Sequence, residues 1–185
     1  MTLFRCFPWD REVAATARGG AVWFAQMLQG AGRHDNPLAY GCLYASERPA
    51  STVVEQLARF TGRALTGDKL RRMRLPLALA ELELRDGEEL IDLDEPAVLA
   101  GEGLRPSLVA THERGRTQAD AAALYERHPG AAGIRWWSTF ESQWPNVTLF
   151  DRAAAALSVG DVRRLTLADE VVEEAAAFLG LRIAT

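Results

Sequence analysis

The apolar positions change period several times along the chain, and the changes mark its elements. Gly19-Gly20 and Gly30-Ala31-Gly32 bracket an apolar patch, Ala21 to Leu28, that fits a helix or a strand equally well. From Tyr40 to Ser46 the residues read as a short strand with Tyr44 and Ser46 on one face. Arg48-Pro49 then opens a helix ending near Gly62, because proline suits a first helical position. Val53, Leu57 and Phe60 form its apolar stripe, which puts Glu55 on roughly the opposite side. Leu75 to Leu84 alternates as a strand does, but the leucine register slips between Leu79 and Leu82, predicting a bulge or two buried faces.

Asp86-Gly87 predicts a turn into Leu90 to Leu93, and Asp94 with Pro96 a short capped helix closing at Gly101. A helix over Arg116 to Arg127 stops at Pro129-Gly130, and strands are expected at Gly133 to Trp137 and Val147 to Phe150. The tail predicts a strand at Val162 to Leu167 and a helix from Asp169 to Leu179, ended by Gly180. Strands and helices mix without regular β-α alternation, so the expected fold class is α+β.

The 185 residues fit one domain, 1–185, able to bury a core without staples. With 48% hydrophobic and 25% charged residues, the composition is that of an ordinary globular protein. A net charge of -4, with basic residues mixed among acidic ones, argues against direct nucleic-acid binding. Cys6 and Cys42 are too few for a disulfide framework and read as two small core or surface thiols. Met1 to Glu12 carries charges before any long apolar run, and no stretch approaches membrane-spanning length, so the expected location is the cytoplasm and not a membrane.

No G-x-S-x-G, G-x-x-x-x-G-K-[ST] or H-E-x-x-H is present, and Gly30-x-Gly32 lacks the third glycine of a dinucleotide fingerprint. His34, His112 and His128 lie far apart with no ligand spacing, so no metal is expected. Two polar clusters remain where strands meet turns: Gly32-Arg33-His34-Asp35-Asn36 leading to Tyr44, and Trp136-Trp137-Ser138. Each member has an ordinary reading: Arg33 as a surface cation, Tyr44 as a half-buried strand aromatic, Ser138 as a turn residue, the tryptophans as core. Thr52-x-x-Glu55 also matches a capping box.

In combination these residues resemble the RES domain, the family named for its Arg, Glu and Ser. The resemblance runs through Gly32-Arg33, Leu43-Tyr44-Ala45-Ser46, Glu55 eleven residues after Tyr44, and Gly133-Ile134 through Ser138 to Asn146-Val147-x-Leu149-Phe150. It covers about residues 3–150, leaving 151–185 as a strand-helix extension. It implies a compact fold similar to ADP-ribosyltransferase toxins, with twisted mixed or antiparallel sheets flanked by helices, and consumption of NAD by a toxin paired with an Xre-like antitoxin. By position it implies that Arg33 binds the NAD phosphates, Tyr44 stacks on nicotinamide, Glu55 acts on the nicotinamide ribose, and Ser138 hydrogen-bonds in the pocket. His34, Ser46 and Trp137 join this set as binding residues. The sequence departs from the family where His-Asp-Asn follows Arg33 and Trp137 precedes Ser138, which bears on pocket shape.

The chemistry suits these residue types. Nicotinamide leaves a cationic pyridinium as a neutral molecule, so a single carboxylate can stabilise the developing ribosyl cation without a second, acid-donating one. An aromatic face gains on the order of 0.5 to 2 kcal/mol over the pyridinium, which suits Tyr44, with Trp136 or Trp137 as a second wall. Arginine forks onto phosphate oxygens. The expected activity is NAD phosphorolysis or hydrolysis, with NAD as substrate rather than recycled cofactor and inorganic phosphate as co-substrate. A mono-ADP-ribosyltransferase acting on a protein, and an inactive NAD-binding or interaction module, are the alternatives. Ala and Leu content leaves surface for a homodimer or a toxin-antitoxin assembly.

Overall fold

The computed structural model describes residues 1–184. The chain divides into two compact units: one holds Met1–Trp23, Ala45–Glu83 and the chain from Ser158 onward, the other Phe24–Tyr44 and Leu84–Leu157. Each is a mixture of strands and helices, and the α+β class expected from the sequence is the one observed.

In the first unit the organising strand is β1 (Thr2–Pro8), which the sequence pattern does not reveal. Leu3, Cys6 and Phe7 are its buried positions, and the adjacent pair Cys6-Phe7 breaks the alternation that would advertise a strand. It pairs antiparallel with β4 (Leu75–Leu84) in unbroken register from Thr2↔Glu83 to Pro8↔Leu77, and meets β2 (Cys42–Ser46) at Phe4↔Ser46. That continuity decides between the two readings of the leucine slip. There is no bulge over Leu77 to Glu83, and Leu77, Ala78, Leu79 and Ala80 are all buried, so β4 is covered on both faces. β3 (Arg71–Arg72) folds back on β4 through a two-residue turn, and β8 (Leu157–Arg164) also pairs with β4, a few residues earlier than the strand expected at Val162.

Helix α1 (Pro49–Leu57) starts at the expected proline and continues as a 3-10 turn through Phe60. It packs on β1 and on α5 (Glu170–Phe178) with Val53, Val54 and Leu57 fully buried, while Glu55 is exposed as the stripe requires. The capping box is not formed: the N-cap is Arg48, and Thr52, already inside the helix, donates its Oγ1 hydrogen to the Pro49 carbonyl at 3.0 Å. The apolar patch at Ala21 is neither helix nor strand apart from a single 3-10 turn at Gln26–Leu28. Its entry is fixed by Gly20, where a Cβ would lie 2.3 Å from the Ala15 carbonyl oxygen, so the chain turns before a period can develop.

The second unit has strand order β2-β7-β6-β5, with β5 (Leu90–Asp92) parallel to β6 (Gly133–Trp137) and β6 antiparallel to β7 (Pro145–Phe150). The parallel pair needs a crossover, and α2 (Pro96–Gly101), α3 (Pro106–Val109) and α4 (Arg114–Arg127) supply it. α2 has Glu95 as N-cap with no side-chain cap bond, so Asp94 is not its cap. The core gathers Tyr40, Cys42, Leu124, Ile134, Trp136 and Phe150. Arg152 closes the C-terminal end of α4: its guanidinium stacks 3.6 Å from the Tyr125 ring and donates to the Tyr125, His128 and Pro129 carbonyls.

Candidate functional site

The loop from Gly30 to Tyr40 carries most of the predicted residues, and it is built around Asp35. One carboxylate oxygen, Oδ2, accepts the backbone N–H of Gly30 at 2.8 Å and of Gly32 at 2.6 Å. The other, Oδ1, accepts the Tyr44 hydroxyl at 2.7 Å, and that hydroxyl oxygen accepts the His34 N–H at 2.9 Å. Helix α4 clamps the same loop from its first turns: Gln118 Nε2 donates to the Gly30 and Gly32 carbonyls, and Thr117 Oγ1 donates to the Arg33 carbonyl at 2.7 Å. Burial, with Cys42 and Asp35 nearby, pushes the Tyr44 phenol well above its ordinary pKa, so it stays protonated and keeps its bond to Asp35.

Arg33 is 4% exposed, and its Nη1 donates to the carbonyls of Val109 at 2.6 Å and Thr111 at 2.8 Å. The guanidinium lies 5.0 Å from the Trp136 ring. Through Nη1 the guanidinium holds the segment after α3 by charge-assisted contacts that order this wall.

His34 lies against both aromatics, edge-on to Trp136 at 5.2 Å and near-parallel to Tyr44 at 6.5 Å. Its Nδ1 is 2.8 Å from Thr148 Oγ1, which also accepts Trp136 Nε1–H at 3.1 Å. With one lone pair taken by the tryptophan, the hydroxyl can give its hydrogen to Nδ1 or accept one from it through the second lone pair. Burial first, and then Arg33 and Arg114, push the His34 pKa down to about 3.

This depression has a sign. An unfolded histidine titrates near 6.5, so between about pH 6.5 and pH 3 the unfolded chain binds a proton that folded His34 refuses. The contribution is complete above 6.5 and is lost as pH falls toward 3. Unfolding free energy from urea titrations is expected to drop by on the order of a few kcal/mol across this window, with the part between pH 6.5 and 5 removed in His34→Asn. An identical slope in the variant would show that His34 titrates normally.

Ser138 is buried at the end of β6, where its backbone N–H donates to the Trp144 carbonyl at 2.9 Å and its Oγ accepts the Phe140 N–H at 3.1 Å. The hydroxyl shapes the turn between β6 and β7. Trp137 is half-buried and Trp136 is core. Arg33, His34, Tyr44 and Trp136 are thus brought together in the second unit. Ser46 and Glu55 belong to the first: Ser46 is fully buried, its Oγ accepting the Arg48 N–H at 3.1 Å, and Glu55 is exposed on α1.

The sequence places Asp35 in the polar cluster without showing its role, and gives no sign of Thr117, Gln118 and Thr148 as builders of this site. Asp35 three residues after Gly32 carried the one local signal, that of a side chain bonding back to its own loop. Among the described residues no group of three His, Cys, Asp or Glu side chains could hold a metal ion. A cavity lined by His34, Leu104, Leu108, Val109, Thr117 and Leu124 has about 10 Å³ of free space, room for about one water and not for a nucleotide. No helix among the described residues is long and apolar enough to cross a membrane.

An α+β chain whose buried arginine and aromatic cluster hang on a glycine loop, with an exposed glutamate on the helix after the tyrosine strand, has the elements of the RES arrangement. The RES domain family model matches residues 2–168, and the chain belongs to that family. The match extends past Phe150 to residue 168. Its fold is similar to that of the toxin chain in the crystal structure of the M. tuberculosis MbcT-MbcA toxin-antitoxin complex, with a TM-score of 0.61 and 17% identity over 98% of this chain and 88% of that one. No match is found among curated proteins.

Proposed function

We propose that this RES domain is the toxin of a toxin-antitoxin pair and that it breaks the nicotinamide-ribose bond of NAD. The observation that carries the reading is the family match over residues 2–168, which contains Arg33, Tyr44, Glu55 and Ser138 in the family's order. Support for the partner is the toxin-antitoxin complex in which the similar fold was solved, and an Xre-like antitoxin is the partner we assign.

Glu55 is the carboxylate we assign to the ribose. It is exposed on α1, at the surface where a substrate can reach it. As the C1–N bond breaks, its electron pair leaves with neutral nicotinamide, and Glu55 stabilises the cationic ribose through a hydroxyl hydrogen bond. Tyr44 offers its ring to the pyridinium. Arg33, with its Nη1 held by Val109 and Thr111, acts as a positioning residue for this wall. Inorganic phosphate or water then bonds to C1.

Purified protein is expected to release nicotinamide from NAD, forming ADP-ribose in water and a phosphorylated ADP-ribose when inorganic phosphate is present. Folded protein that releases no nicotinamide under either condition would sink the proposal. Label from NAD that ends on a macromolecule, with little free product, would transfer the assignment to ADP-ribosylation.

A further inference from the structure

The charge reading of the sequence has a local exception. Between residues 59 and 74 stand Arg59, Arg63, Lys69, Arg71, Arg72 and Arg74, with Asp68 as the sole carboxylate. The fold gathers part of this run beside α1. Arg59 and Lys69 approach one ring, Phe60, at 4.8 and 5.7 Å, and Lys69 Nζ also donates to the Ala64 carbonyl. Arg72 reaches α1 itself, donating from Nη1 to Gln56 Oε1 at 3.1 Å, one residue beyond Glu55. Arg59 follows Glu55 by one turn.

The turn presenting Arg72 is costly to keep. Met73 and Arg74 both have left-handed backbones, φ 52° and 68°, positions at which hairpins ordinarily place Asn-Gly. Both residues carry side chains, whose Cβ crowds the backbone in this region as a glycine would not. Arg71 Nη2 donates to the Arg74 carbonyl at 2.5 Å and fixes the tip. Partial burial, followed by the repulsion of Arg72, draws the Arg59 pKa below its ordinary value, so these two guanidinium groups feel each other. Cations held together by aromatic, amide and strained-turn contacts make a preformed receptor for a multiply charged oxyanion, since each N–H···O⁻ bond formed also relieves their repulsion.

We propose that Arg59, Lys69 and Arg72, arranged around Phe60 and Gln56 one turn from Glu55, form a binding site for a phosphate group. The proposal rests on the assignment of Glu55 to the ribose for its meaning in turnover: the group held is either the inorganic phosphate that accepts ADP-ribose or the pyrophosphate of NAD. It also reassigns to these residues the phosphate contact expected of Arg33.

Calorimetric titration of the full chain with inorganic phosphate and with pyrophosphate tests the site without any turnover. Saturable binding of at least one of them is expected, weakened roughly tenfold in Arg59→Gln and in Arg72→Gln, with unfolding temperatures unchanged because both side chains are exposed. A rise in the KM for phosphate alone would identify the acceptor site; a rise in the KM for NAD alone, the pyrophosphate site. Absence of binding by either anion, affinities equal in the variants, or affinity confined to duplex DNA or a polyglutamate peptide would overturn the proposal. Phosphate binding that depends on these arginines in a protein inert toward NAD would keep the site and remove the NAD reading instead.

Discussion

Glu55→Gln is expected to lower the rate of nicotinamide release from NAD by roughly 100- to 1,000-fold while leaving the unfolding temperature where it was. The activity loss follows from what the carboxylate is asked to do. Its negative charge interacts little with the neutral parts of the bound ribose and strongly with the cation that forms as nicotinamide departs, so removing the charge raises the barrier more than it weakens binding. KM should therefore move little and kcat a great deal. The unchanged stability follows from the helix. The cap of α1 is at Arg48 and Thr52 is turned back to Pro49, so no capping box with Thr52 is lost, and the Glu55 side chain is exposed. An exposed Glu→Gln change then falls within about 0.5 kcal/mol. Release measured by separation of nicotinamide, alongside thermal unfolding, reads both. Full activity in the variant would take Glu55 out of the mechanism.

Glu55 also shows how far the sequence carried. The apolar stripe of α1 placed it on the open side of the helix, and Val53 and Leu57 are fully buried as that period demands. β2, β6 and β7 were legible because each is short, apolar and bounded by turn residues. What was not legible depends on distant partners. Arg33 reads locally as a surface cation, and its burial comes from carbonyls 76 and 78 residues further along. Thr148, which receives Trp136 and meets His34, lies 114 residues from the histidine. The strained tip at Met73 and Arg74 carries neither glycine nor asparagine, so no turn signal announced it. Local period found the scaffold, while the polar network waited on tertiary contact.

Gly32→Ala is expected to damage both folding and activity, and more severely than any truncation of the residues around it. A Cβ on Gly32 would lie 2.5 Å from Asp35 Oδ1 and 2.5 Å from the Tyr44 hydroxyl. Neither atom can retreat at low cost. Asp35 is held by two backbone N–H groups through its other oxygen, and the tyrosine hydroxyl is bonded on one side to Asp35 and on the other to the His34 backbone. Relieving the overlap means breaking at least one of these bonds, which leaves the buried Asp35 carboxylate or the His34 N–H without its partner. Overpacking of this kind costs about 1 to 3 kcal/mol, and an unsatisfied buried group adds a comparable amount. The displaced loop carries Arg33 and His34 with it and moves the Tyr44 ring. Urea unfolding should therefore show a loss of about 2 to 4 kcal/mol. The surviving folded fraction should release nicotinamide at a small part of the native rate. Adding Tyr44→Phe to Gly32→Ala provides the control: losing the hydroxyl removes one of the two colliding atoms along with its bonds to Asp35 and His34, so Tyr44→Phe should cost less stability in the Gly32→Ala background than in the native chain. An alanine variant as stable as the native chain would mean that the loop repacks freely and that the Asp35 network does not fix the position of Tyr44.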